Sequence, residues 1–172
     1  MKKSYWWIFG TAIGLVLIAS SIYIFLAVFN TNKEKASGEE EATEAKHEEM
    51  LNNVGKQDQE ITPSEVPSET EFQSMIHHLT HQKVEADEKW GKLQITPERI
   101  DKMLAILTAV EGTETYEFED VYRDILKPWD EGNFDNAVNA HNRIWQLQGG
   151  TIGKATGLLS EAEEQEYIEK NY

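Results

Sequence analysis

Three kinds of hydrophobic pattern follow one another along the chain. The run "WWIFGTAIGLVLIASSIYIFLAVF", Trp6 to Phe29, carries no charged residue. At about 1.5 Å per residue it makes roughly 36 Å of helix, enough to cross a hydrocarbon core of about 30 Å. Residues 30–69 are nearly free of large apolar side chains and rich in Glu, Lys, Ser and Thr. Such a stretch buries too little surface to offset its ordering entropy, which predicts a disordered acidic linker. Beyond Glu69 the apolar residues recur at helical spacing, and no stretch alternates as a strand does.

In that last part Phe72, Met75, Ile76 and Leu79 share one face of a helix expected over 69–84. Thr96, Pro97 and Glu98 open a second, with Ile100, Met103, Leu104, Ile106, Leu107 and Val110 inward and Gly112 as its stop. A third is expected over 117–127, ended by Pro128. A fourth over 135–148 carries Val138, His141, Ile144, Trp145 and Gln148 on one stripe, with Gly149 and Gly150 closing it. Ser160 and Glu163 have capping-box spacing and start the last helix. The fold class is therefore all-α: a transmembrane helix, an acidic tether, and a bundle of about five helices over 70–172.

The formal net charge of −15 is borne by the polar parts, because Lys2 and Lys3 are the only charges before residue 33. An acidic chain repels phosphate backbones, so nucleic acid is excluded as a partner class. The absence of cysteine removes disulfides, thiolate metal sites and cysteine nucleophiles. The apolar run is too long for a cleaved signal peptide and is expected to stay as an anchor. Residues 1–5 are expected in the cytoplasm and the domain outside, because so short a tail leaves the acidic domain to translocate. Gly10 and Gly14 form a GxxxG step of the kind that lets two membrane helices approach and dimerise.

The stretch "QLQGGTIGKATGLLS" imitates a phosphate loop. With Gly153 and Lys154 aligned on that motif, Gln148 stands at the first glycine and Ala155 at the final Ser/Thr. No strand precedes it. It reads instead as a helix stop and connector, with Gly153 and Gly157 at positive φ and Lys154 an ordinary solvated cation. Exposed N–H groups of such a loop could receive a peptide carboxylate, which makes Trp145, Gln148, Gly150 and Lys154 partner-binding candidates.

"HHLTH" places His77 and His81 at i, i+4 on one helix edge, turned away from the apolar stripe and so expected to be exposed. His78 stands where a zinc protease needs its glutamate base, so that motif is absent. The two imidazoles remain metal-ligand candidates, with Glu85 nearby. His141 lies among apolar residues and is expected to be buried, hydrogen-bonded to backbone or to Asn142. Trp90, Trp129 and Trp145 are expected to anchor core and loops. No carboxylate pair or nucleophile–base pair stands out, so neither an activity nor a cofactor is implied.

"EGNFDNAVNAHNRIW" resembles the second half of a tetratricopeptide repeat, but Pro128 breaks the first half and one unit forms no solenoid. The segments "HHLTHQKVEADEKWGKLQITPERI" and "HNRIWQLQGGTIGKATGLLSEAEEQEYI" resemble a family of uncharacterised single-span membrane proteins of Bacillus and relatives. That resemblance implies a Gram-positive membrane protein and brings no activity. The resulting expectation is a membrane-anchored domain that binds or regulates an envelope protein or peptide. The alternative is an envelope enzyme or metal-dependent factor using the His77/His81 face.

Overall fold

The computed structural model describes Tyr23, residues 41–54 and residues 61–172. The run Trp6–Phe29, with Gly10 and Gly14, lies outside the described residues apart from Tyr23. Among the described residues no helix is long and apolar enough to cross a membrane. The chain divides into two units, Met1–Glu39 and Glu40–Tyr172, and the second holds the helical domain.

Among the described residues, six helices and one small β pair make up that unit. They are α1 (41–53), α2 (Glu69–Thr80), β1 (Val84–Glu85), α3 (Pro97–Val110), α4 (Glu119–Asp130), α5 (Ala137–Leu147), β2 (Gly157–Leu158) and α6 (Glu161–Asn171). α2 lies along α5 and α3 along α4. The core joins Phe72, Met75, Ile76 and Leu79 of α2 to Met103, Ile106 and Leu107 of α3, Tyr122, Leu126 and Trp129 of α4, and Ile144 of α5. The helical character and the inward faces agree with the pattern of the sequence.

The domain starts earlier than the expected residue 70. Residues 41–53, assigned above to a disordered linker, are helical, with His47, Leu51 and Val54 buried. Glu48 pairs with Arg99 of α3 and Lys46 with Glu71 of α2. Leu51 and Val54 are too few to draw attention in an acidic stretch, yet they join a core that α2 and α3 have already built. α2 itself begins at a Ser68–Glu71 capping box and ends at Thr80, four residues before the expected end. Val84 is drawn off instead into β1, which pairs antiparallel with β2 through Val84–Leu158 and Glu85–Gly157.

Pro128 does not stop α4 but lies inside its last turn. The ring removes the N–H that would bond the carbonyl of Asp124. Asn136 supplies the replacement, donating Nδ2 to Asp124 O (3.4 Å) and Ile125 O (3.2 Å). Its Oδ1 accepts from the indole of buried Trp129 at 2.5 Å. One asparagine thus lets the helix run on far enough to bury a tryptophan. At the end of α5 the positive φ belongs to Gly149 (+69°), whereas Gly150 is held by the Trp145 indole, which a Cβ would meet at 2.3 Å. Gly153 has the expected positive φ, and Gly157 lies in β2 without it. α6 begins at the expected Ser160–Glu163 capping box but buries no residue, and Leu158 stays exposed.

Candidate metal centre

All five histidines of the chain gather in one place. α2 supplies His77, His78 and, at its C-cap, His81, α5 supplies His141, and α1 supplies His47. The helix period places His77 and His81 on one edge of α2. Packing of α2 along α5 then brings His141 against that edge. Ring centroids lie 4.9 Å apart for His77–His81, 4.5 Å for His77–His141 and 5.4 Å for His81–His141. One ring nitrogen from each of the three lies within 4.8 Å of the others.

Each of the three rings also has one nitrogen anchored on oxygen. His77 Nδ1 meets Gln148 Oε1 at 2.7 Å, His81 Nδ1 meets the Gly91 carbonyl at 2.7 Å, and His141 Nε2 meets the Gly153 carbonyl at 2.9 Å. A nitrogen facing a carbonyl oxygen must carry the proton, so the lone pairs fall on His77 Nε2, His81 Nε2 and His141 Nδ1. His141 Nδ1 sits 2.8 Å from Thr80 Oγ1, whose single proton is shared between two acceptors, that nitrogen and the His77 carbonyl at 2.5 Å. Metal-ligating histidines are held in this way by their second nitrogen.

Two glycines make those carbonyls available. Gly91 (φ +75°) offers its carbonyl to His81, and a Cβ there would meet the His78 ring at 2.4 Å. Gly153 (φ +83°) offers its carbonyl to His141, and a Cβ there would meet Glu88 O at 2.5 Å. Both are therefore backbone positions that only glycine fills without strain. Asn142 clamps the second loop by exchanging two hydrogen bonds with Ala155, at 3.0 and 2.9 Å. Trp145 Nε1 adds a bond to Ile152 O at 2.8 Å. The glycine-rich connector thus carries a ligand-orienting carbonyl rather than a phosphate cradle.

Burial keeps the cluster neutral. It lowers the pKa of His77 and pushes His81 well below the ordinary imidazole value. It brings His141 down to about 4, helped by the neighbouring His77, and His78 to about 3, helped by His47 and His77. Neutral imidazole is the form that ligates metal. A tetrahedral zinc site with Zn–N near 2.0–2.1 Å sets ring centroids about 5.2 Å apart, close to the three spacings found here. Nitrogens on such an ion lie about 3.3 Å apart, so those within 4.8 Å of one another must draw together by up to about 1.5 Å on binding.

A cleft of about 210 Å³ opens beside these rings, lined by His77, His78, His81, Glu88, Trp90 and Gln148 among others. Trp90 (62% exposed) and Ile152 (57%) stand at this cleft, so Trp90 is not the anchor it was expected to be.

The expected exposure of His81 is overturned: it is 2% exposed, and His77 is half-buried. A wheel centred on the apolar stripe sends both histidines outward. α2 is instead covered on its second side by α5 and by the segment around Gly91. Glu85 lies on β1 opposite Gly157, and the third imidazole is His141, buried as expected but bonded to Thr80 and Gly153 rather than Asn142. Gln148, a partner-binding candidate above, orients His77; Trp145 and Gly150 pack on each other; Lys154 is exposed. The joining of His141 to "HHLTH" spans 60 residues of sequence separation (His81 to His141), which no local spacing could signal.

A family model described as a family of unknown function (DUF6241) matches residues 76–169, more than half of the chain. The matched span contains His77, His78, His81 and His141 and leaves out His47. No curated protein and no solved structure matches the chain.

Proposed function

We propose a metal-binding role for this chain, which belongs to the DUF6241 family of unknown function. The domain takes up an imidazole-preferring first-row ion of the zinc class through His77, His81 and His141. The observation that carries this reading is the set of three neutral imidazoles, each fixed by an oxygen acceptor on one nitrogen. The triad holds no carboxylate, which disfavours calcium and magnesium. Three protein ligands leave a fourth position, and the neighbouring cleft is where water or a ligand group reaches it.

The anchor expected over residues 6–29 gives this domain its address: the outer face of a Gram-positive membrane. A second reading, docking of an envelope protein or peptide at the cleft, draws on the exposed Trp90 and Ile152. Zinc titration of the full chain tests the first. Stoichiometric, sub-micromolar binding that disappears in His81→Ala and His141→Gln is expected. Binding of equal strength in both variants refutes it. Protease added to intact protoplasts tests the address, and survival of the domain there would reverse the orientation.

A further inference from the structure

Two imidazoles of the cluster stay outside the triad. His78 on α2 is 6.4 Å from His77 and 6.0 Å from His81 between centroids, too far to share their ion. Its nearest ring partner is His47 of α1, 5.2 Å away. That spacing is the one expected, about 5.2 Å, for two imidazoles on one tetrahedral ion.

Both rings have the same defect. His47 Nδ1 and His78 Nδ1 are buried without a hydrogen-bond partner, and His47 as a whole is only 2% exposed. Buried polar atoms are nearly always paired in folded proteins, so two orphans on neighbouring rings call for a partner. Gly91 lies against the Cε1–Nε2 edge of His78, which leaves Nδ1 as the nitrogen open to a ligand. Beside His47, Lys46 and Glu71 neutralise each other in an ion pair. What remains unsatisfied is one nitrogen on each ring, and an ion that takes both as lone-pair donors, with the ring protons on Nε2, completes them.

We propose that His47 and His78 form a second metal-ligating pair, filled by the same imidazole-preferring class of ion, through which metal occupancy fixes α1 against the rest of the domain. It rests on the metal-binding reading of His77, His81 and His141 for its ion class, but on different residues. α1 stands at the start of the helical unit, so a metal that joins it to α2 makes the order of that helix depend on metal occupancy.

The test is metal content. The full chain, stripped with chelator, is dialysed against zinc and separately against cuprous ion with ascorbate, and bound metal is counted. Two ions per chain are expected for one of these metals. His47→Gln, which lies outside the triad and keeps a polar side chain of similar size, should lower the count to one. His141→Gln should also lower it to one. In the same samples, amide exchange over residues 47–54 should slow at least tenfold on metal addition, and this protection should vanish in His47→Gln. His78→Gln serves as the second variant, with circular dichroism confirming the fold. A single ion lost in His141→Gln and unaffected by His47→Gln overturns this inference, a bridging water then filling the gap, and leaves the triad standing. A single ion with the reverse sensitivity keeps the inference and refutes the triad. No bound ion refutes both.

Discussion

Acidification to a modest degree should destabilise this domain, and the histidine cluster sets the size of the effect. In the unfolded chain each imidazole titrates near 6.5. In the folded protein His141 is lowered to about 4 and His78 to about 3, both chiefly by burial. Between those values the unfolded chain binds more protons than the native one, so stability falls as pH falls. Going from about pH 7.5 to about 5.5, each of the two groups removes about 1.3 kcal/mol, or roughly 2.7 kcal/mol together. His47, His77 and His81 are lowered too, so this is a floor. Glu71, held at about 2 chiefly by its bond to Lys46, loses its contribution as pH falls from about 4.5 towards 2, below this window. Against a typical stability of about 5–15 kcal/mol the loss is large, and it should lower the melting temperature by roughly 10 °C. Urea melts of the metal-free full chain at the two pH values measure it. A change below about 1 kcal/mol, or an undiminished one in the His78→Gln/His141→Gln double variant, would refute the argument that these rings are buried and neutral.

Glu69 accepts hydrogen bonds from Glu117 N (3.0 Å), Phe118 N (2.9 Å) and Tyr122 OH (2.7 Å), capping α4 from another helix, since Phe118 cannot cap it. Glu69→Ala should cost about 1–3 kcal/mol in a urea melt. Gly153→Ala brings strain at φ +83° and a clash with Glu88 O, and should cost at least about 1 kcal/mol while also weakening zinc uptake through His141. Gly150→Val should destabilise by about 1–3 kcal/mol, because its side chain must displace the Trp145 indole. Lys154→Ala, at an exposed position, should change stability by less than about 0.5 kcal/mol, and added ATP should not shift either melt.

The helices of this domain were legible wherever their apolar residues repeat strongly. The stripes of α2, α3 and α5 and the caps at Thr96 and Ser160 stand in the sequence as they stand in the fold. Failures came where a partner distant in sequence rescues a locally poor choice. α1 has too few apolar residues to be recognised alone, and it is held by Leu51, Val54 and ion pairs to α2 and α3. Pro128 reads as a stop until Asn136 takes over the carbonyls it strands.

The same reasoning explains why half of the candidate metal centre was visible and half was not. The i, i+4 spacing of His77 and His81 is a local fact of helix geometry, and it was enough to raise the metal question. Their burial was missed because a hydropathy stripe treats histidine as polar, whereas a neutral imidazole with one nitrogen on a carbonyl oxygen loses little on burial. His141 gave the complementary signal: a histidine on an apolar stripe needs partners. Its Nε2 found the Gly153 carbonyl. Gly153, in turn, belongs to the loop that imitates a phosphate site. Two unexplained features of the sequence, a buried histidine and a glycine-rich connector, are thus one structure, in which the connector's backbone holds the third imidazole against the first two. A histidine and a positive-φ glycine that meet only through tertiary packing are therefore worth reading together, because a glycine carbonyl approaches a ring nitrogen where any side chain would collide.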